Sequence, residues 1–328
     1  MSITPQTSNT SVNLNGVAFP DICHGWAEGA IDKNDGTRVG TIVATSDGGA
    51  TWKEVHRTTM TLRDIAFPDI LHGWAVGGDP PTILATADGG ATWKSQTESE
   101  TFPIKDPKAH FTAVAFPDTQ NGWIVGALSN GGVILATSDG GATFSRQAEE
   151  AVNFTDDFRG VAFPDTQHGW AVGGASPDPG GGLIIATSNG GETWERQTTP
   201  VTNKDKGITD LLFGIAFADI NHGLAVGDNG TILTTADGGG HWTSKPSLTD
   251  ARLFRVAFPD IKHGWAVGVT TTGGGVILAT ADGGDTWTPQ ADPGQMLFGV
   301  AFPDISHGWL VGASGTILAV LLPSSSCI

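Results

Sequence analysis

Residues 62–96 read LRDIAFPDILHGWAVGGDPPTILATADGGATWKSQ, and close relatives of this stretch recur along the whole chain. Four short apolar or β-branched segments alternate with Gly, Pro and Asp, which is typical of short strands joined by tight turns. We name these predicted strands A (62–67), B (73–77), C (82–86) and D (92–96). No helical period of useful length interrupts them.

The repeat has seven copies, whose Ala-Phe-Pro-Asp elements begin at Ala18, Ala66, Ala115, Ala162, Ala216 (with Ala218 for the proline), Ala257 and Ala301. Successive starts lie 41 to 54 residues apart, which is the period of propeller blades. One four-stranded blade cannot bury both of its faces, whereas a closed ring of blades can. The sequence therefore predicts an all-β fold, a seven-bladed β-propeller of four-stranded antiparallel blades forming a single domain over residues 1–328.

The two ends of the chain are expected to complete one blade together. Strand C of the seventh copy, at residues 316–320, has no strand D after it. Ile3-Thr4-Pro5-Gln6 resembles Trp287-Thr288-Pro289-Gln290, which forms strand D of the sixth copy. We therefore expect residues 2–9 to supply the outer strand of blade seven, 296–322, and to close the ring. A Cys23–Cys327 disulfide across this seam is a hypothesis, and the alternative is two unrelated thiols.

The turn between strands C and D carries the Asp-box pattern Thr-x-Asp-x-Gly-x-Thr-Trp in six copies. Its carboxylate can accept hydrogen bonds from its own turn, where Gly permits positive φ. Calcium is the alternative ligand of such a motif, but each box offers one carboxylate and calcium takes six to eight oxygens. We therefore expect structural residues, no metal and no other cofactor, at Asp47, Asp88, Asp139, Asn189, Asp237 and Asp282.

The tryptophans and most histidines also recur once or twice per copy. Aromatic residues at such positions are more often core than sugar-binding platforms. The histidines lie in A–B turns of separate blades, too far apart to share a metal, and we expect them to hydrogen-bond the turn backbone. These recurring residues are interpreted as scaffold.

Recognition is expected on the face that carries the irregular segments. Since strand direction alternates, the A–B and C–D turns share one face, the motif face, and the B–C and D–A connections share the other, the loop face. The irregular segments are all B–C or D–A connections, at residues 30–40, 79–81, 97–110, 148–157, 176–182, 198–211 and 270–275. Variable loops on a rigid scaffold usually carry binding function, so we predict that the loop face binds the partner.

The starts of the A strands should ring the entrance of the central channel on this face. Residues there that break the repeat are the candidate binding residues Arg63, Asp64, Arg159, Phe213, Phe254, Arg255 and Phe298. Three aromatic rings on consecutive blades could form an apolar patch, and arginines could bind a carboxylate or phosphate. The alternative is that the rings pack between blades and the arginines pair with aspartate.

Composition excludes several partners. The formal charge of −17 disfavours nucleic acid and anionic membranes, because both require clustered Lys and Arg. The sequence contains no run of eighteen apolar residues, so it predicts no membrane-spanning helix. The N-terminus lacks a basic segment followed by an apolar one, so we expect a cytoplasmic protein as written, or an exported one if a signal was removed. We expect a monomer.

With seven repeats built on Val-Ala-Phe, Gly-Trp-Ala-Val-Gly and Thr-Ile-Leu-Ala-Thr, and Asp-Gly-Gly-x-Thr-Trp or a variant of it in six of them, the whole chain resembles the photosystem II assembly and stability factor family of cyanobacteria and chloroplasts. The resemblance implies a non-enzymatic scaffold that holds a protein or peptide partner, such as a membrane-protein subunit, during assembly. Family members are exported to the thylakoid lumen and are expected to offer a basic surface, whereas this chain has no such signal and is acidic. The same repeat also occurs in bacterial proteins with no photosynthetic role.

The alternative functions are a carbohydrate-binding module and, less expected, a glycoside hydrolase. A carbohydrate-binding module would bind glycans through exposed aromatic residues. A glycoside hydrolase is less expected. Sialidases need a tyrosine nucleophile and the chain contains no tyrosine, and no acid/base pair of carboxylates stands out in the sequence. Serine-hydrolase triads and P-loop signatures are also missing from the sequence. We therefore predict a binding protein without catalytic residues.

Overall fold

In the computed structural model of the protein, the described residues are 1–33, 35–78, 80–147, 157–174, 182–200, 210–290 and 292–322. They form a seven-bladed β-propeller, as the repeats predict. Each blade contains strands A to D in antiparallel order. The two helices among the described residues are three-residue turns, and neither could cross a membrane.

In each blade the strands follow one another from strand A at the channel to strand D at the outer rim. The innermost A strands are β2 (Asn13–Ala18), β6 (Thr61–Ala66), β10 (His110–Ala115), β14 (Asp157–Ala162), β18 (Leu212–Phe217), β22 (Arg252–Ala257) and β26 (Leu297–Ala301). The B strands are β3 (Gly25–Asp32), β7 (Gly73–Gly78), β11 (Gly122–Leu128), β15 (Gly169–Gly174), β19 (Gly223–Gly227), β23 (Gly264–Val269) and β27 (His307–Gly312).

The outer half of each blade is less regular. The C strands are β4 (Arg38–Thr45), β8 (Thr82–Thr86), β12 (Gly131–Thr137), β16 (Gly182–Thr187), β20 (Ile232–Thr235), β24 (Gly275–Thr280) and β28 (Ile317–Leu321). The D strands are β1 (Ser2–Gln6), β5 (Lys53–Thr58), β9 (Lys94–Ser95), β13 (Ser145–Arg146), β17 (Glu195–Arg196), β21 (Thr243–Lys245) and β25 (Thr288–Pro289).

The D strand of blade two is shorter than the predicted segment 92–96. Thr92 donates its backbone N–H and its hydroxyl to Asp88, so it belongs to the turn and cannot pair with strand C. The ladder therefore begins at Lys94 and has two rungs.

The ring closes through the N-terminal strand, as predicted. β1 pairs antiparallel with β28, from Ser2 opposite Leu321 to Gln6 opposite Ile317. The ladder ends at Gln6, short of the predicted residue 9, because Asn9 adopts a positive φ of 58° and its amide donates to the Trp52 carbonyl of blade one. The innermost strands β26 and β2 are also in contact, so the last blade meets the first.

Adjacent blades are joined by a recurring aromatic contact. The strand-B Trp74 of blade two stacks on Phe116 of blade three, with ring centroids 3.6 Å apart, and its indole N–H donates to Gly140 O. At the seam, Trp309 stacks on Phe19 at 3.6 Å and donates to Gly48 O. Such stacked pairs add to the burial of apolar area. The core therefore lies between blades rather than within one sheet.

Candidate functional site

Every innermost strand carries a β-bulge near its start. The register with strand B skips one residue in each blade, for example between Phe111 and Ala113. The extra residues are Asn15, Arg63, Thr112, Arg159, Phe213, Phe254 and Phe298. A bulged residue has no partner opposite it on the next strand and can be aimed away from the ladder. The bulges thus turn these side chains toward the channel.

The seven bulge residues line one concave mouth at the loop-face end of the channel. Together with Thr61 and Arg255 they enclose a volume of about 310 Å³. The structure therefore brings together six of the seven candidate binding residues named from the sequence. Asp64 is not among the lining residues and lies one residue further along strand A. We call this cavity the mouth.

One side of the mouth is aromatic. Phe213 and Phe254 meet edge to face at 5.6 Å, and Phe254 and Phe298 are 5.8 Å apart. Phe213 is buried at 8% exposure, whereas the other two rings are partly exposed. The rings therefore pack on one another and still present an apolar surface to the cavity.

A cation borders the aromatic side of the mouth. The guanidinium carbon of Arg159 lies 5.1 Å from the centre of the Phe213 ring, within cation–π range. Its guanidinium is 3.8 Å from the Asp157 carboxylate, a distant ion pair, and its Nε atom is buried without a hydrogen-bond partner among the described residues. The guanidinium of Arg159 is thus held by weak contacts and could bind an anionic ligand.

Arg255 is held by the backbone across the channel. Its guanidinium donates to the carbonyl oxygens of four innermost strands at 3.1 to 3.5 Å, those of Thr112, Arg159, Phe213 and Phe254. These hydrogen bonds join blades three to six. Arg255 is therefore a fixed positive charge in the wall of the mouth, and its role as a binding residue stays a prediction.

Two carboxylates lie near this charge. Asp64 Oδ2 accepts the backbone N–H of Val114 in blade three at 3.0 Å. Burial raises the pKa of Asp64, and the nearby Arg255 charge lowers it in part. The second carboxylate, Glu28 on β3, has 0% exposure. Burial and the Asp64 charge together raise its pKa well above the usual range.

Sequence reasoning missed Glu28, although a signal was present. Strand B reads Gly-Trp-Ala-Val-Gly in blade two and Gly-Trp-Ala-Glu-Gly in blade one, so Glu28 occupies the place of Val76. A carboxylate in place of a buried valine is an exception to the repeat of the kind that marked the mouth residues.

Asn15 and Thr112, two polar residues of the mouth, tie neighbouring blades together. The Asn15 amide donates to Leu62 O of the next blade at 2.8 Å. The Thr112 hydroxyl donates to Phe158 O of the next blade at 2.6 Å. Both side chains thus stabilise neighbouring A strands while bordering the cavity.

The Asp-boxes lie in the C–D turns on the motif face. Asp47 Oδ1 accepts the Thr51 N–H at 2.8 Å and the Thr45 hydroxyl, and Oδ2 accepts the Thr51 hydroxyl. The hydrogen bond from the Thr92 hydroxyl helps to lower the pKa of Asp88 to about 2, and the His241 side chain does the same for Asp237. The carboxylate oxygens are thus occupied within their own turns.

In blade four the box contains an amide. Asn189 Oδ1 accepts the Thr193 N–H at 3.0 Å, and its amide donates to the Thr193 hydroxyl at 2.9 Å. Among the described residues no group of three or more His, Cys, Asp or Glu side chains could hold a metal ion. The arrangement fits a turn-stabilising role.

The A–B histidines differ from the sequence expectation. His72 Nδ1 contacts the Asp69 carboxylate at 2.9 Å, and Asp69 accepts the backbone N–H groups of Leu71 and His72. The aspartate therefore supports the turn backbone and the histidine ring holds the aspartate. The same pair recurs in blades one, four, five, six and seven.

The tryptophans offer little surface to a ligand. Ten of them are 5% exposed or less, and Trp93 is partly exposed. An extended aromatic platform for sugars is therefore absent from the described part of the chain.

Some predicted features fall beyond the residues that the structure describes. Cys327 is one of them, so the Cys23–Cys327 disulfide stays a hypothesis. The loop segments 148–157, 176–182 and 198–211 lie wholly or mostly outside the described ranges. The described candidate site is accordingly the mouth and the charges below it.

Comparison with known proteins supports the fold and identifies a family. The sequence model of the family described as photosynthesis system II assembly factor YCF48 matches residues 54–151 and 200–288, more than half of the chain. No curated protein sequence matches it.

Solved structures resemble the whole chain. One is described as YCF48 bound to D1 peptide; it is 20% identical, with a TM-score of 0.70, over 98% of this chain and 96% of that one. YCF48 from Cyanidioschyzon merolae is also 20% identical, with a TM-score of 0.69, over 98% and 99%. The WD40 propeller domain of Doa1 is 8% identical, with a TM-score of 0.69, over 97% and 96%. At these identities the structural likeness concerns the fold.

Proposed function

The chain belongs to the photosystem II assembly factor YCF48 family, and from that premise we propose that it is a non-enzymatic scaffold that captures a protein or peptide partner on its loop face. The main observation behind this proposal is that all seven bulge residues line one mouth. The bulge position does not hold the same residue type in every blade, since it is Asn, Arg, Thr or Phe. Residues that build the ring recur, whereas residues that choose a ligand need not. The related structure in which YCF48 holds a D1 peptide supports a peptide as the partner.

The chemistry of the mouth suits a peptide with an apolar side chain next to a carboxylate. Phe254 and Phe298 supply partly exposed apolar surface, and Arg159 and Arg63 supply positive charge at the rim. A guanidinium can bind a carboxylate through two parallel hydrogen bonds. A segment of a membrane-protein subunit that lies outside the bilayer would meet both requirements.

The non-enzymatic assignment is supported by the state of the charged groups. Arg255 donates to four backbone carbonyl groups, which hold its guanidinium in place, and Glu28 has no exposed surface with which to reach a substrate. Glycosidase chemistry requires two carboxyl groups that face the scissile bond, and none of the described residues that line the mouth is a carboxylate. The buried tryptophans give no specific support for carbohydrate binding.

The test is binding of the D1 peptide, measured by fluorescence anisotropy with wild type and three variants. Arg63→Glu and Phe254→Asp should each weaken binding about tenfold or more, because each places a negative charge where an anionic or apolar group docks. Lys262→Glu, an exposed charge reversal in an A–B turn of the motif face, is the matched control and should leave the affinity within about twofold.

Two results would contradict the proposal. One is a loss of affinity in Lys262→Glu while the two mouth variants bind normally. The other is absence of peptide binding together with hits on a glycan array that quench tryptophan fluorescence. Circular dichroism and melting curves of each variant show whether the fold is retained.

A further inference from the structure

Glu28 lies in a space that the scaffold otherwise fills with valine. A Cβ built on Gly16 would come within 2.7 Å of Glu28 Oε1 and 3.0 Å of the Asp64 Cα. The carboxyl group thus occupies the junction between the innermost strands of blades one and two. In blade seven the equivalent position beside Gly299 is taken by the Val311 methyl group.

The Glu28 carboxyl group is poorly satisfied for an ionised acid. No described side chain hydrogen-bonds either of its oxygens, and the backbone donor that approaches is the Gly16 N–H. A buried charge without good hydrogen bonds is costly, and such a group usually takes up a proton instead.

The charges that face Glu28 can be named strand by strand. β6 contributes Arg63 and Asp64, and β22 contributes Arg255. The paired strands β2 and β4 place Gly16 and Ile42 against it. Arg38 of β4 is bound to Asp32 at the far end of the β3–β4 hairpin. The local set is therefore two arginines and two carboxyl groups.

While Asp64 is ionised, this set has two charge states. With Glu28 neutral, the positive charges of Arg63 and Arg255 exceed the single charge of Asp64. With Glu28 ionised, the set is balanced and the potential at the mouth falls. An anion above the mouth is favoured by the first state.

We propose that Glu28 is the proton-binding group that sets the charge of the mouth, so that a carboxylate ligand and one proton are taken up together. The inference rests on the proposed function and adds its regulation. Binding of the anion and protonation of Glu28 are then linked, and each must favour the other by the same factor. The burial that raises the pKa of Glu28 well above its usual range favours uptake of this proton.

The experiment measures affinity for the N-acetylated D1 peptide at pH 5.5, 7.0 and 8.5, using wild type, Glu28→Gln and Glu28→Val. The peptide carboxylate stays ionised throughout this range. Wild type should lose about tenfold in affinity from the lowest to the highest pH, as expected for one charge about 10 Å away in a partly buried setting. Both variants, which are permanently neutral, should keep the affinity that wild type has at low pH.

A second measurement follows the Glu28 carboxyl carbon directly by NMR, with Glu28→Gln to assign the signal. Its titration should move to higher pH when the peptide is added. A flat wild-type profile, or a slope that both variants retain, would overturn the inference while leaving the proposed function intact. A slope retained in the variants would point to Asp64, the other carboxyl group of this set. Failure of the peptide to bind at any pH would remove both proposals together.

Discussion

Replacing Arg255 by methionine tests how the channel is held together. The change removes hydrogen bonds to four carbonyl oxygens from four blades. It also leaves Asp64 and Glu28 without the central cation that offsets their burial. Breaking a buried charge arrangement by deleting one partner typically costs about 3–5 kcal/mol, because the remaining charge stays buried.

The matched control is Arg159→Met in blade four, two blades away from Arg255. Its ion pair with Asp157 is 3.8 Å long and about a third of its side chain is exposed, so we expect a loss below about 1 kcal/mol. Urea unfolding followed by tryptophan fluorescence gives both free energies. The penalty of Arg255→Met should shrink as the pH falls, because protonation neutralises both carboxyl groups, whose folded-state pKa values are already raised.

Three results would refute this reasoning. Arg255→Met could cost no more than Arg159→Met at neutral pH. Its penalty could be independent of pH. At a pH at which Glu28 is ionised, adding Glu28→Gln to Arg255→Met could fail to recover stability, although it removes one of the two carboxylates left without the Arg255 charge.

Three further predictions concern the seam, the Asp-box and Glu28. Gln6→Ala should lower the free energy of unfolding by about 1–2 kcal/mol, since Gln6 joins Trp52 and Gly48 across the seam. The equivalent Gln96→Ala should lose far less, because the Gln96 amide donates to Lys94 O of its own strand, and equal losses in urea unfolding would contradict this. Asp88→Ala should lower the melting temperature more than Asp88→Asn, because Asn189 makes equivalent contacts in blade four. The stability that the Asp88 carboxylate contributes should disappear as the pH falls through about 2, the value to which its pKa is lowered. Melting curves of wild type and both variants over a range of pH check this prediction. Glu28→Gln should become more stable relative to wild type as the pH rises above the unfolded value of about 4.3, by at most about 1.4 kcal/mol per pH unit, because the raised folded pKa makes the native acid lose stability over that interval; a stability difference that does not change with pH would exclude a buried proton.

The repeat made the architecture predictable. Seven Ala-Phe-Pro-Asp elements fix the number of blades, and the similarity of Ile3–Gln6 to a strand D fixes how the ring closes. The length of strand D was not predictable from the pattern alone, because Thr92 is β-branched and yet its donors are used by Asp88. Local side-chain hydrogen bonds overrode the propensity.

The repeat predicts which residues line the mouth, but it does not predict how the backbone directs them into it. The alignment identifies the seven positions, and the bulge that aims them appears only when the register is known. The partners of Arg255 come from four blades, and no sequence spacing predicts which carbonyls meet at the axis. Glu28 could have been found by extending the same alignment to strand B.

The central claim is that the ligand is chosen by the non-recurring residues of the mouth and not by the recurring motif face. Photo-crosslinking tests it directly, with benzoylphenylalanine replacing either Phe298 in the mouth or Ile261, which is 47% exposed in an A–B turn. The account predicts that the D1 peptide crosslinks at position 298, that excess unlabelled peptide abolishes the product, and that position 261 gives none. Crosslinking at position 261 with none at 298 would contradict it.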